Sequence, residues 1–373
     1  MGKLRNPLAL FSESSKTSLF RIRDAAARTP FSAVLATDDA TVLLAHEICL
    51  DLGLPTNDAP ALRASTNKLH FRELCTQQGL FAPRYTVVPP GNSGETNLES
   101  VQYPCVAKPL SLSASRGVIR CDSKKDLEQA IPRIQTLVKA EDSEQDCRVL
   151  IEDYVEGSEY SVEALLRDST LEVIAVFEKP DPLTGPYFEE SIYLTPPRLS
   201  QETLSAIHGA LLKICRALGF REGPLHAELR LQGREICFIE IASRTIGGRC
   251  GKVIEFLTGA SLEGLVVSNA VRRPLDQRTA TATCGVMMIP VPGPGIVRRV
   301  EGIEAARCVD HIEEIEIDVK PGQQLVPWPE GSSYPGFIFA RGPNGHFVIE
   351  TLHSAHSALR FVTAPCLPLV IAG

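Results

Sequence analysis

Residues Leu225 to Gly248, LHAELRLQGREICFIEIASRTIGG, decide how the rest of the chain is read. They form two β-strands joined by a short polar loop. The first, about His226 to Leu231, alternates polar and apolar residues, as a half-buried strand does. The loop is Gln232-Gly233-Arg234-Glu235. The second strand, Ile236 to Ile241, is nearly all apolar except for Glu240. A carboxylate there is costly to bury without a partner. If Gln232 pairs with Ile236, Glu228 stands opposite Glu240 on the same face, with Cβ atoms about 5 Å apart. A register one residue off would send the two acids to opposite faces. Carboxylates this close repel unless a proton or cation lies between them. Mg²⁺ takes oxygen ligands and keeps positions open for phosphate. Arg244 follows four residues after Glu240, ahead of Gly247-Gly248 in a loop. An arginine beside a metal-binding pair suits a phosphate or an acyl-phosphate. An ordinary hairpin with one exposed acid and one salt-bridged acid fits the same stretch equally well.

The chain has 373 residues, enough for two or three domains or subdomains. Its net charge of −7 argues against a nucleic-acid binder, which would carry a basic stripe. No apolar run reaches the roughly 18 to 20 residues that span a bilayer. The start, MGKLRNPLALFSESSK, has no long apolar core and makes a poor signal peptide. The 11 cysteines are scattered singly, with no C-x-x-C pair, so zinc and thioredoxin-type readings are weak. Reduced thiols in a cytoplasmic protein are the simpler expectation.

Along the chain, residues up to about 30 carry little pattern. Phe31 to Thr37 reads as a short buried strand, and Thr41 to Leu52 as an amphipathic helix. These are half of a βαβ-type domain, whose initial strand and helix are missing from the pattern. Ala61 to Gly79 reads as one helix with Asn67-Lys68 in its middle. Strands are expected at 83–88, 105–108, 118–120, 148–152, 160–165 and 171–178. Helices are expected at 124–140, 201–219, 251–258 and 261–271. Asp181 to Arg198 reads as irregular and Pro-rich. Beyond Thr281 the pattern is β-rich, with strands including Phe347 to Thr351 and a last helix from His353 to Phe361.

Three further stretches carry chemistry. Lys108 is a lone cation at the end of an apolar strand, so it needs a counter-charge. Behind it, Leu110 to Gly117 is rich in Ser, Ala and Gly, which lets backbone N–H groups approach an anion. It is not a Walker A loop. A hairpin turn with a solvated Arg116 is the competing reading. Val149 to Glu159 runs from an apolar strand into Glu152, crosses a linker, and resumes with Glu159. The linker offers backbone groups to a flat base edge, and Glu159 can accept two ribose hydroxyls. A plain hairpin with acids on its wet side is the alternative here.

Lys68, Lys108, Glu152, Glu159, Glu228, Glu240 and Arg244 stand in the order and rough spacing of the ATP-grasp superfamily. From about Thr41 onward the chain resembles its carboxylate–amine ligases, most closely the L-amino acid (dipeptide) ligases. The resemblance implies an α/β (α+β) fold of two subdomains clasping ATP. It implies a partial N-terminal pre-ATP-grasp domain over 1–62, an ATP-grasp domain over 63–272 with a mobile lid near 85–155, and a β-rich part over 273–373. By the same resemblance Lys68 and Lys108 contact phosphates, and Ser113, Ser115 and Gly117 lie in a loop closing on them. Glu152 with the backbone of Tyr154 and Val155 holds adenine, and Glu159 holds ribose. Glu228 and Glu240 ligate Mg²⁺ (or Mn²⁺). Arg244 steadies an acyl-phosphate, so Arg244 and Lys108 are the catalytic candidates. Glu190, Tyr193 and Arg244 face the substrate.

Departures from the pattern are Asn67 for the usual Asp, Ala242 for a frequent Asn, and Tyr193 where dipeptide ligases have His. The implied reaction activates a small carboxylate and joins it to an amine. A bicarbonate-using carboxylase and a non-catalytic ATP-binding protein are the alternatives. The implied partners are small molecules, without nucleic acid or membrane; a homodimer is left open.

Overall fold

The computed structural model describes residues 15–91, 98–142, 145–275 and 282–366. The first fourteen residues of the segment read as a poor signal peptide, and part of the loop after Val88, lie outside these. Four helices come first: α1 (Ser15–Arg28), α2 (Val42–Leu52), α3 (Ala59–Thr66) and α4 (Lys68–Gln77). Next come β1 (Tyr85–Val88), β2 (Cys105–Pro109), β3 (Ile119–Cys121), α5 (Lys124–Glu141) and β4 (Val149–Asp153). The middle of the chain holds β5 (Ser158–Arg167), β6 (Thr170–Lys179), β7 (Ile192–Thr195), α6 (Gln201–Leu218), β8 (Gly223–Gln232), β9 (Glu235–Ala242), α7 (Cys250–Thr258) and α8 (Leu262–Ala270). It ends with β10 (Thr283–Met288), β11 (Gly295–Glu301), α9 (Ile303–Arg307), β12 (Ile312–Ile317), β13 (Gln324–Leu325), β14 (Gly336–Gly342), α10 (Gly345–Ser357) and β15 (Arg360–Ala364).

Three sheets result. The small one has the order β1-β4-β2-β3, the large one β12-β14-β10-β7-β6-β5-β8-β9, and a third β13-β11-β15. Helix α5 covers the small sheet, burying Leu127, Ile131 and Ile134 against Ala107 and Val149. Helices α3, α4 and α6 cover one face of the large sheet through Ala61, Phe71 and Leu211. Helices α7 and α8 cover the other face through Val253 and Leu265, which pack with Phe177 and Phe339. Alternation in β5 serves both faces: Ala164 and Leu166 join the first core and Leu165 the second. At the crossing from the small sheet to the large one, Gly157 has φ +110°, and a Cβ there would lie 2.4 Å from the Leu231 carbonyl oxygen. Only glycine fits so tight a junction.

Several expectations are corrected. Phe31 to Thr37 forms no strand and is partly exposed, because no described strand lies beside it. Ser15 to Arg28 is helical despite its weak pattern. The helix expected over Ala61 to Gly79 is two helices. Asn67 is extended (φ −143°, ψ 116°), and its side chain caps α4 by accepting from the N–H groups of Leu69 and His70. The stretch read as irregular hides β7, fully buried between β6 and β10. Phe347 to Thr351 lies inside α10, which Asn344 caps at the Phe347 N–H. Helix α10 ends at Ser357, and Arg360–Ala364 pairs with β11 as a strand. A short apolar run alone does not separate strand from helix; here the capping asparagine does.

The Asn67 cap makes Lys68 the first residue of α4. Asn67→Ala therefore weakens the protein by about 1 kcal/mol, while Asn67→Asp keeps the cap. Urea unfolding of the two variants checks this.

Candidate active site

The β8–β9 register differs from expectation at the loop and agrees at the acids. Gln232 pairs with Glu235, and Leu231 with Ile236, one residue off the expected pairing. An irregularity after Leu229↔Phe238 leaves Ile239 unmatched, and Glu228 then stands opposite Glu240. A β-bulge thus restores the facing pair, since one extra residue on one strand shifts everything beyond it.

Arg72, from α4, holds that bulge. Its guanidinium donates from Nη1 to the Phe238 carbonyl (3.0 Å) and from Nη2 to the Ile239 carbonyl (2.9 Å). The same group donates to both oxygens of Glu152 on β4, at 2.7 and 3.2 Å. Lys108, on neighbouring β2, reaches Glu152 Oε2 at 2.6 Å. The side chains of Arg72, Lys108 and Glu152 are 1%, 5% and 5% exposed. Burial alone would raise the Glu152 carboxyl, but Arg72 and Lys108 outweigh it and hold it at about 2. The partners move together rather than oppositely: burial, and repulsion by Arg72, also push Lys108 down despite Glu152. The Glu152 side chain is thus committed to two cations. That makes it the anchor of Lys108.

Lys68 projects from the start of α4, with Nζ 2.8 Å from the Leu112 carbonyl and 3.2 Å from Glu240 Oε2. Arg244 Nε lies 2.9 Å from Asp39 Oδ1, on the N-terminal segment before α2. On β5, Glu159 meets Lys179 Nζ at 2.8 Å and Arg230 Nε at 3.1 Å. Lys179 also binds Glu190 at 2.6 Å and Glu228 at 2.9 Å. Burial favours its neutral amine, yet the three carboxylates push its pKa well above the usual lysine value. The Tyr193 hydroxyl donates to Glu190 Oε1 at 2.6 Å. His226 Nδ1 lies 2.5 Å from Glu163 Oε1, and its Nε2 is 3.6 Å from Glu228 Oε1. Burial lowers that imidazole, but Glu163 and Glu228 bring it up to about 9.

All of these side chains except Arg72, Glu163 and Lys179 line one cavity of about 920 Å³, which also includes Ser113, Ser115, Tyr154, Val155 and Tyr334. That is the upper end of the range for ligand sites. In the linker after β4, Tyr154 N–H donates to the Pro104 carbonyl, and the Val155 carbonyl accepts from Arg230 at 2.7 Å. The guanidinium groups of Arg120 and Arg230 lie over the Tyr154 ring, at 4.5 and 4.9 Å from its centroid. Gly117 does not line the cavity. Its φ is +68°, and its N–H donates to the Pro329 carbonyl. The Ser111–Gly117 loop is in fact latched from the C-terminal side. Trp328 Nε1 donates to the Ala114 carbonyl (2.9 Å), Arg116 to the Glu330 carbonyl (3.3 Å), and Arg133 pairs with the Glu330 carboxylate.

Sequence reasoning missed Arg72, Lys179, His226, Glu163, Arg230 and Asp39. Two left a signal. Arg72 stands four residues after Lys68 on one helix face, and His226 stands two before Glu228 on one strand face.

The antiparallel small sheet, the eight-stranded sheet, and the cations and acids between them define an ATP-grasp protein. Residues 101–253 match the model of the ATP-grasp domain, and residues 287–364 that of L-amino acid ligase C-terminal domain 2. The chain thus carries an ATP-grasp domain followed by a C-terminal domain of the L-amino acid ligase type. An uncharacterized protein, y4rH, of Sinorhizobium fredii is 23% identical over 303 residues, covering 80% of this chain. The chain spans 61% of that protein's length. Dapdiamide A synthase of Enterobacter agglomerans is 25% identical over 338 residues, 86% of this chain and 77% of the synthase. The L-amino acid ligase of Bacillus licheniformis has the same fold, with a TM-score of 0.78 at 24% identity, over 96% of this chain and 87% of that one. No described helix is long and apolar enough to cross a membrane.

Two outcomes are expected of the buried cluster. Arg72→Met leaves Glu152 short of a partner and the bulge carbonyls unsatisfied, costing about 3–5 kcal/mol in urea unfolding. Glu152 has a folded pKa of about 2 against an ordinary 4.5. Its contribution, about 3 kcal/mol, is complete above the ordinary value and is lost as pH falls towards the folded one. Urea midpoints measured between about pH 5 and about pH 2.5 should fall more steeply in the native protein than in Arg72→Met.

Proposed function

We propose that the protein is an ATP-dependent carboxylate–amine ligase acting on a small carboxylate, an amino acid. The observation that carries the reading is the meeting of Lys68, Lys108, Glu228, Glu240 and Arg244 around one cavity. Two cations suited to phosphate, two facing carboxylates and an arginine together match phosphoryl transfer to a carboxylate better than they match hydrolysis.

In this reading the base edge of ATP meets the Val155 N–H, which has no protein partner among the described residues. The ribose hydroxyls meet Glu159. The phosphates lie against Lys68 and Lys108, with Ser113 and Ser115 over them. The hard oxygen donors of Glu228 and Glu240 fit Mg²⁺, which would neutralise phosphate charge when bound. A carboxylate oxygen of the substrate attacks the γ-phosphorus and ADP leaves. Arg244 holds the resulting acyl-phosphate, a role suited to its planar fork of donors. The amine nitrogen then attacks the acyl carbon, phosphate departs and the nitrogen sheds a proton. Glu190 and Tyr193 select the amino acid. The small-sheet unit, about residues 85–155, acts as the lid, and the Trp328–Glu330 segment keeps it shut so that water stays out.

Phosphate release from ATP, measured with amino acids added singly and in pairs, tests the activity. Release only with a carboxylate donor supports the ligase. Dependence on bicarbonate, or tight ATP binding without turnover, would overturn it. Glu240→Gln should lower turnover by roughly 100-fold or more, and Lys108→Ala should weaken ATP binding; isothermal titration separates the two. Trp328→Ala frees the lid loop. It should raise the phosphate released per amide formed several-fold, roughly.

A further inference from the structure

Lys179 closes β6 with its side chain 3% exposed. Its Nζ donates to Glu159 on β5, to Glu190 just before β7 and to Glu228 on β8. One oxygen from each of these three acids lies within 4.8 Å of the other two. That spacing suits a divalent ion, yet an ammonium fills it. The pattern of oxygens is also informative. Lys179 and Tyr193 both use Oε1 of Glu190, and Lys179 and His226 both approach Oε1 of Glu228. Oε2 of each acid has no bonding partner among the described residues. Both acids line the cavity. The acids carry three negative charges. Lys179 answers one, and Arg230, 3.1 Å from Glu159, a second.

We propose that Lys179 is a resident cation. Its ammonium takes the place of a metal ion at the junction of Glu159, Glu190 and Glu228. It confines divalent ions to the Glu240 side of Glu228 and leaves Glu190 Oε2 to receive a substrate ammonium. The identities of the adjoining subsites rest on the ligase reading; the occupation of the triad by a side-chain cation does not. Lys179 is a positioning residue in this account, acting through the carboxylates it holds.

Mn²⁺ titration of the full chain without nucleotide, followed by electron paramagnetic resonance, tests the proposal with no turnover required. Lys179→Met should gain one Mn²⁺ site per chain, at least tenfold tighter than any in the native protein. Lys179→Arg should not gain it, and Lys179→Met/Glu190→Gln should lose it again. Binding by Lys179→Met no tighter than native would overturn the proposal. If Lys179→Met does not fold, ¹⁵N resonances of the lysine ammonium groups in the native protein decide the point. A protected Lys179 signal that persists when Mg²⁺ and a non-hydrolysable ATP analogue are added supports the proposal, and its loss overturns it. In steady state, Lys179→Met should raise the KM for the amino acid at least tenfold while Lys179→Arg largely restores it. A ligase with unchanged amino-acid KM in Lys179→Met would refute the positioning role while leaving the activity intact.

Discussion

One guanidinium ties the site together. Arg72 sits almost wholly out of water and spends its donors on two parts of the molecule. On one side is Glu152 of the small sheet; on the other are the carbonyls of the β9 bulge. The bulge sets Glu228 opposite Glu240, and Glu152 anchors Lys108. A planar, permanently charged fork can serve a carboxylate and two carbonyls at once, which a lysine cannot. Lys108 and the facing acids Glu228 and Glu240 are thereby positioned by the same buried group. A buried charge is expensive unless all its neighbours are satisfied, so this part of the structure tolerates little rearrangement.

Around that anchor the cavity is organised as alternating charges. Lys68 answers Glu240, Asp39 answers Arg244, and Lys179 answers three acids. Such pairing offsets the cost of holding these charges away from water. The C-terminal part reaches the same cavity through Tyr334 and secures the Ser111–Gly117 loop through Trp328 and Glu330. The C-terminal part and the Ser111–Gly117 loop therefore border the same cavity.

Glu240 and Lys108 were legible because a charge inside an apolar run is conspicuous, Glu228 through its pairing with Glu240, and Lys68 only through the resemblance. The pairing of Glu228 with Glu240 was read correctly from a register that is wrong at the loop; the bulge at Ile239 leaves no mark in the sequence. Arg72 and Lys179 were not legible as site residues because their partners lie far along the chain, up to 167 residues away from Arg72. Strand β7 was masked by its Pro-rich surroundings, and α10 by an apolar run that suits either helix or strand. The buried Glu152 shows the limit of reading roles by position. Its place in the order is as expected, while its carboxylate is held by two cations of the protein itself.

Anomalous diffraction from crystals grown with Mn²⁺ and a non-hydrolysable ATP analogue tests the central claim most directly. The account predicts manganese peaks between the Glu228 and Glu240 carboxylates, with phosphate oxygens on Lys68 and Lys108 and the Arg72–Glu152 contact intact. Manganese away from both acids, or a triphosphate with neither lysine beside it, would contradict the account.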